Sequence, residues 1–114
     1  VEKNFDENMI QFRGRFNKFK FKSFDWFNRN KNKINYYDFI YIDGSHYFKD
    51  VLLDAQNSWN LLKKGGLMIF DDYLWNFYKN NEENPIFGIN QFLKEIKNQF
   101  RVLYIDTQLF IEKK

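Results

Sequence analysis

The sequence predicts an α/β domain: a partly parallel sheet linked by crossover helices and ended by a C-terminal antiparallel hairpin. Three observations carry this reading. Two almost continuously apolar runs, Tyr37-Asp38-Phe39-Ile40-Tyr41-Ile42 and Leu67-Met68-Ile69-Phe70, flank a stretch with helical periodicity, the pattern of strands buried on both faces and joined by a crossover helix. Two final apolar segments, 101–106 and 108–112, are separated so briefly that they must turn back on each other antiparallel. A chain of 114 residues, 44% apolar and 29% charged, has the length of one domain and the composition of an ordered one.

Each element has its own signal. Over residues 1–13, Val1, Phe5, Met9 and Phe12 recur at helical spacing. Residues 16–22, Phe-Asn-Lys-Phe-Lys-Phe-Lys, come close to strict alternation, as in a strand with one solvated face or a sheet edge. Ser23 is placed to cap a short helix through Trp26 and Phe27, after which Asn and Lys at 28–35 make a polar connection. The strand over 37–42 runs into Asp43-Gly44-Ser45-His46. From Tyr47 to Lys64, Val51, Ala55, Trp59 and Leu62 recur every three or four residues, and Gly65-Gly66 offers a left-handed stop after two lysines. The next strand, 67–70, is closed by Asp71-Asp72-Tyr73. A polar loop with the single proline, Pro85, leads to a helix with Ile89, Phe92, Leu93, Ile96 and Phe100 on one face. Helices are expected on both sides of the sheet.

Composition removes several function classes. With no cysteine there is neither a disulfide framework nor a thiolate metal site, which favours an intracellular setting. Net charge is +3 and the sequence pI about 9.0, but Lys and Arg are scattered among abundant Asn without forming a stripe, so no nucleic-acid partner is expected. The uncharged apolar stretches are far shorter than a membrane-spanning helix needs, and no leader pattern opens the chain, so the expected location is cytoplasmic. The first residue is Val, consistent with a chain that starts inside a larger domain.

The chemistry sits at two strand ends, because ligands of open parallel sheets bind outside the carboxyl ends of the strands. Asp43 ends one strand and Asp71-Asp72 end the next, so three carboxylates should meet in one place. Left alone they repel. Either a hard cation such as Mg²⁺ or hydrogen bonds from loop amides and basic side chains must compensate them. Taken singly, each acid also reads as a strand-terminating cap.

The ordered set from Tyr37 to His46, then a helix with Asp54 and Trp59, then Leu61-Leu62-Lys63-Lys64-Gly65-Gly66 and the strand ending in Asp71-Asp72-Tyr73, resembles the fourth and fifth motifs of class I S-adenosylmethionine-dependent methyltransferases. The similarity is to the methyltransferase domain family 24 type, nearest the sugar O-methyltransferases of macrolide and aminocoumarin pathways, with catechol O-methyltransferases further off. It extends over essentially the whole chain, and Pro85-Ile86-Phe87-Gly88-Ile89 with the helix and hairpin after it matches the family's ending. The resemblance implies a Rossmann-like domain over 1–114 that is partial, lacking the first two strands of the full fold. It implies S-adenosylmethionine and a divalent metal, Mg²⁺, as cofactors. Asp43, Asp71 and Asp72 fall on the metal ligands, His46 on a catalytic base with Asp43 beside it in the catalytic set, and Ser23, Phe24, Asp43 and Gly44 on the cofactor pocket. The alternative for His46 is a helix N-terminal histidine bonded to a carboxylate, and Phe24 reads equally as core.

One departure is as informative as the match. The glycine-rich turn that cradles the methionine moiety and the acid that holds the ribose are absent, and Gly14, alone in Arg13-Gly14-Arg15, is not that turn. Since the missing first strand would lie beside the one ending at Asp43, a hydrophobic edge and half of the cofactor pocket should be uncovered. The expected partners are a small hydroxylated acceptor and, over that edge, either a second copy of the chain or the missing N-terminal half; no membrane partner is expected. Two functions follow. The chain is an O-methyltransferase, or the metal-bearing part of one, acting on a sugar or small-metabolite hydroxyl, or it is a non-catalytic remnant of that fold serving as an interaction module.

Overall fold

The computed structural model describes all 114 residues. In chain order it contains α1 (Glu2–Met9), continued by a 3₁₀ turn over Ile10–Phe12, then α2 (Ser23–Arg29), β1 (Tyr37–Ile42), α3 (Phe48–Trp59), β2 (Leu62–Phe70), α4 (Pro85–Glu95), β3 (Phe100–Ile105) and β4 (Leu109–Lys113). The four strands form one sheet in the order β1-β2-β4-β3. β1 and β2 are parallel, as α3 between them requires, while β2–β4 and β3–β4 are antiparallel, so the partly parallel sheet with its terminal hairpin stands as the sequence predicts.

The core lies on one face of that sheet. Ile42, Phe70 and Leu109 align across β1, β2 and β4, as do Ile40, Met68 and Ile111 one step along, and these rows pack against Val51, Ala55 and Trp59 of α3 and Ile89 and Phe92 of α4. Edge-on contacts of Trp59 with Phe92, ring centroids 5.6 Å apart, lock the two helices together. Their backbones meet at Gly88, where even a methyl group would lie 2.1 Å from the carbonyl oxygen of Phe48. The opposite face carries the row Tyr41, Ile69, Phe110, Tyr104, with Phe39 and Leu67 beside it; Phe39 is 51% exposed and Tyr41 44%. Helices therefore cover one side of the sheet, not both. No helix is long and apolar enough to cross a membrane.

Four local expectations are corrected. Residues 16–22 form no strand, because a strand needs a neighbouring backbone and β1 pairs only with β2. Their alternation serves instead to dock the segment on α1: Lys18 pairs with Asp6 at 2.7 Å, Lys20 with Glu2 at 2.9 Å, and Phe16 meets Phe5 edge-on. α3 stops at Trp59, short of Lys64, because the chain entering β1 takes the carbonyls that follow: Asn35 N–H donates to Asn60, and Tyr36 and Tyr37 both donate to Leu61. β2 consequently starts at Leu62, and Gly65, at φ +81°, provides a left-handed residue to a bulge in that strand in place of a helix stop. At the end of α4, Phe100 lies outside the helix as the first residue of β3, after Asn98 turns the chain at φ 68°. Ser23 is the first residue of α2, with Lys22 in the capping position, so no side chain caps this helix.

Candidate functional site

The sequence-predicted carboxylates do converge. β1 ends at Ile42 and β2 at Phe70, which are register partners, so Asp43 and Asp71 leave the sheet side by side and Asp72 follows. One carboxylate oxygen from each of the three lies within 4.8 Å of the others. Asp71 N–H donates to the Ile42 carbonyl at 3.1 Å, extending the parallel ladder by one bond into the site.

The three acids have different environments, and this separates their chemistry. Asp71 accepts from the Tyr41 hydroxyl and from Gln108 Nε2, the latter at 2.6 Å, and these donors hold its carboxyl below the ordinary carboxylate range. Tyr41 answers in the other direction: bonded to an anion, its hydroxyl is pushed up to about 12. Asp43 has no such donors. Partial desolvation at the strand end, a hydrogen bond shared with Asp71, and the charges of Asp71 and Asp72 together raise its carboxyl. Asp72 is bound to His46, whose Nε2 lies 3.1 Å from Asp72 Oδ2. The imidazole also stacks flat on Trp75, centroids 4.3 Å apart and planes at 9°.

Ser23, Phe24 and Gly44 line one cavity of about 740 Å³ beside the loop after β1. Phe24 is 58% exposed, which removes it from the core. A second cavity of about 460 Å³ runs along the unpaired edge of β1 and is lined by Ser23, Trp26, Tyr37, Phe39, Asp43 and Gly44, among others. Asp54 of α3 faces both cavities; burial raises its carboxyl, and a hydrogen bond with Ser23 partly offsets the rise.

The donor set fits a hard divalent cation: three carboxylate oxygens, no nitrogen or sulfur, open to water that could complete an octahedron. The cavities fit part of a nucleoside cofactor, with aromatic walls and a glycine at the strand end. A methionine-binding glycine turn has no counterpart: Gly14, at φ +85°, has open space where a side chain would be and belongs to the turn after the 3₁₀ segment.

Tyr41, Gln108, Trp75 and Asp54 were not singled out by sequence reasoning as members of the site. Tyr41 carried a usable signal, since it stands two residues before Asp43 and period-two alternation puts both on one side of the strand. Gln108, brought in by the hairpin turn, carried none.

A family model described as a methyltransferase domain matches residues 1–73. The chain belongs to that methyltransferase family. A crystal structure of a Corynebacterium glutamicum protein from a structural genomics programme is similar with a TM-score of 0.72 and 14% identity, over 97% of this chain and 53% of that one. At that identity the likeness concerns the fold, and this methyltransferase-family chain spans about half the length of its structural neighbour. No curated protein matches.

Proposed function

We propose that the chain is the strand-end portion of an S-adenosylmethionine-dependent O-methyltransferase, assisted by a divalent metal and acting on a hydroxyl of a sugar or small metabolite. S-adenosylmethionine is the usual cofactor of the family. The observation that carries the reading is the pairing of His46 with Asp72 next to the Asp43–Asp71 pair, at the carboxyl ends of parallel strands. With Nε2–H donated to Asp72, the neutral ring keeps its lone pair on Nδ1, and the Trp75 stack fixes its plane. His46 Nδ1 is then the group that takes the proton of an acceptor hydroxyl. Asp72 stabilises the imidazolium so formed. Asp43, Asp71 and the free oxygen of Asp72 would hold Mg²⁺, which when bound orients the acceptor hydroxyl and lowers its pKa. Ser23, Phe24 and Gly44 would line the adenine side of the cofactor pocket.

A second reading has one observation in its favour. The outer edge of β1 is unpaired and the sheet face bearing Phe39 and Tyr41 is bare, which suits a chain whose remaining role is to be covered by another polypeptide, a second copy or the absent N-terminal half. Calorimetry on this chain with S-adenosylmethionine, with and without Mg²⁺, separates the two. Binding that Mg²⁺ strengthens supports the methyltransferase reading. Absence of binding at millimolar cofactor, both by this chain and by the chain completed with a glycine-loop half, supports the interaction module.

A further inference from the structure

The β3–β4 turn, outside the segment matched by the family model, reaches into the carboxylate site through one side chain. Gln108 Nε2 donates to Asp71 Oδ1 at 2.6 Å and to the Tyr41 hydroxyl at 3.2 Å, and Tyr41 donates its own proton to the same Oδ1. Three elements are thus closed into a triangle: β1 through Tyr41, the end of β2 through Asp71, and the hairpin turn through Gln108. The amide has only one workable orientation, since turning it over would set its carbonyl oxygen against a carboxylate. Both donors converge on Oδ1, and neither touches Oδ2. A carboxylate with one oxygen held from two directions has its side-chain torsions fixed, and its second oxygen is presented in one place instead of being distributed over a rotating group.

We propose that Gln108, with Tyr41, is a positioning residue that fixes Asp71 so that its second oxygen is held ready for a divalent cation shared with Asp43 and Asp72. This rests on the reading of the three acids as a cation site, and it adds to that reading a contribution from the C-terminal hairpin. A bare structural latch would use the same hydrogen bonds, but its removal would loosen the hairpin without changing what the carboxylates bind.

The test is Mn²⁺ binding to the full chain, followed by electron paramagnetic resonance of the free ion, for wild type, Gln108→Leu and Tyr41→Phe, with a thermal melt of each. Loss of an outer partner of a metal-ligating group commonly weakens metal affinity by roughly 10–100-fold. Gln108→Leu is expected to weaken Mn²⁺ by at least about tenfold while keeping the wild-type melting temperature within about 2 °C, because the side chain is only half-buried. Tyr41→Phe should weaken Mn²⁺ in the same direction. Wild-type binding that Gln108→Leu leaves within twofold overturns the positioning role and leaves the cation site standing. Wild type that takes no Mn²⁺ overturns the cation reading and the proposal together. A fall in melting temperature with unchanged Mn²⁺ affinity assigns Gln108 to the latch.

Discussion

Gly88→Ala tests whether the close packing of α3 on α4 sets the geometry of the site. The added methyl carbon would meet the Phe48 carbonyl oxygen at 2.1 Å and the Phe48 carbonyl carbon at 3.0 Å. Carbon–oxygen approaches in proteins stay near 3.3 Å or longer, so the helices must part by about 1 Å. The obstacle is backbone, which cannot rotate away as a side chain would, and the separation would open the contacts of Trp59 with Phe92 and of Ile89 with the core. Overpacking of this kind costs about 3 kcal/mol at the upper end of its usual range. Alanine is better than glycine in a helix by about 1 kcal/mol, which offsets part of that and leaves about 2 kcal/mol. For a domain of this size that corresponds to a fall of about 8 °C in melting temperature.

The assay is thermal unfolding by far-UV circular dichroism, with near-UV ellipticity as the local probe. Phe48 opens α3 directly after the loop carrying Asp43 and His46, so a displaced Phe48 should also weaken the aromatic signal of the His46–Trp75 stack. A Gly88→Ala variant melting within 2 °C of wild type would refute the reasoning: the helices would then have a relaxed packing available at no cost, and the glycine would be dispensable.

Four further outcomes follow from the site and its supports. Asp43→Asn should raise the melting temperature at pH 7: its folded carboxyl is raised, so the stability it contributes exists at low pH and is lost as pH rises through the folded value, and the advantage of the variant should vanish below about pH 4. Asp71 has the opposite sign, its stabilisation present above the ordinary carboxylate value and lost on acidification, so Asp71→Asn should narrow the melting difference between pH 7 and pH 3. Lys113 donates to the carbonyls of Trp59 and Leu62 at 2.7 and 2.8 Å, and Lys113→Met should cost about 1.5–3 kcal/mol in urea unfolding, the usual value of a hydrogen bond from a charged group. His46→Gln should lower turnover of an active assembly by about 10²–10⁴ with little change in cofactor affinity; full turnover with a reduced melting temperature would make the histidine a structural partner of Asp72.

What was legible in the sequence were the features written into local pattern. Tyr37–Ile42 and the run ending at Phe70 read as strands because the local chain is apolar almost throughout, and Asp43, Asp71 and Asp72 follow them directly, so their convergence needed only a parallel pairing; burial on both faces did not follow, since one face of β1 is bare. Residues 16–22 misled because period-two alternation marks a segment able to form a strand, and only a free neighbouring edge makes it one. Gly65 misled because a left-handed glycine after a helical pattern ends helices and bulges strands alike; the decision was made by Leu61, whose carbonyl is already taken by Tyr36 and Tyr37. Gln108 was beyond reach for another reason. Its role depends on how far the hairpin turn projects over β1, which no local pattern encodes.

The bulge at Gly65 has a consequence for the site itself. Tyr37 is paired with Leu62, but Phe39 is paired with Leu67, so two steps along β1 are matched by five along β2. Had the ladder run on without the bulge, Ile42 would face Leu67 and the end of β2 would overshoot that of β1 by three residues, about 10 Å at the rise of a strand. Asp71 would then stand well beyond Asp43, out of reach of a shared proton or a shared ion. It is the extra chain taken up around Gly65 that draws Phe70 level with Ile42 and sets the two acids side by side. The register also brings Tyr41 level with Ile69, so that its hydroxyl reaches Asp71 just past the strand end. The lysines and glycines at the start of β2 therefore do more than follow a helix into a sheet: they set the alignment that brings the two strand ends level.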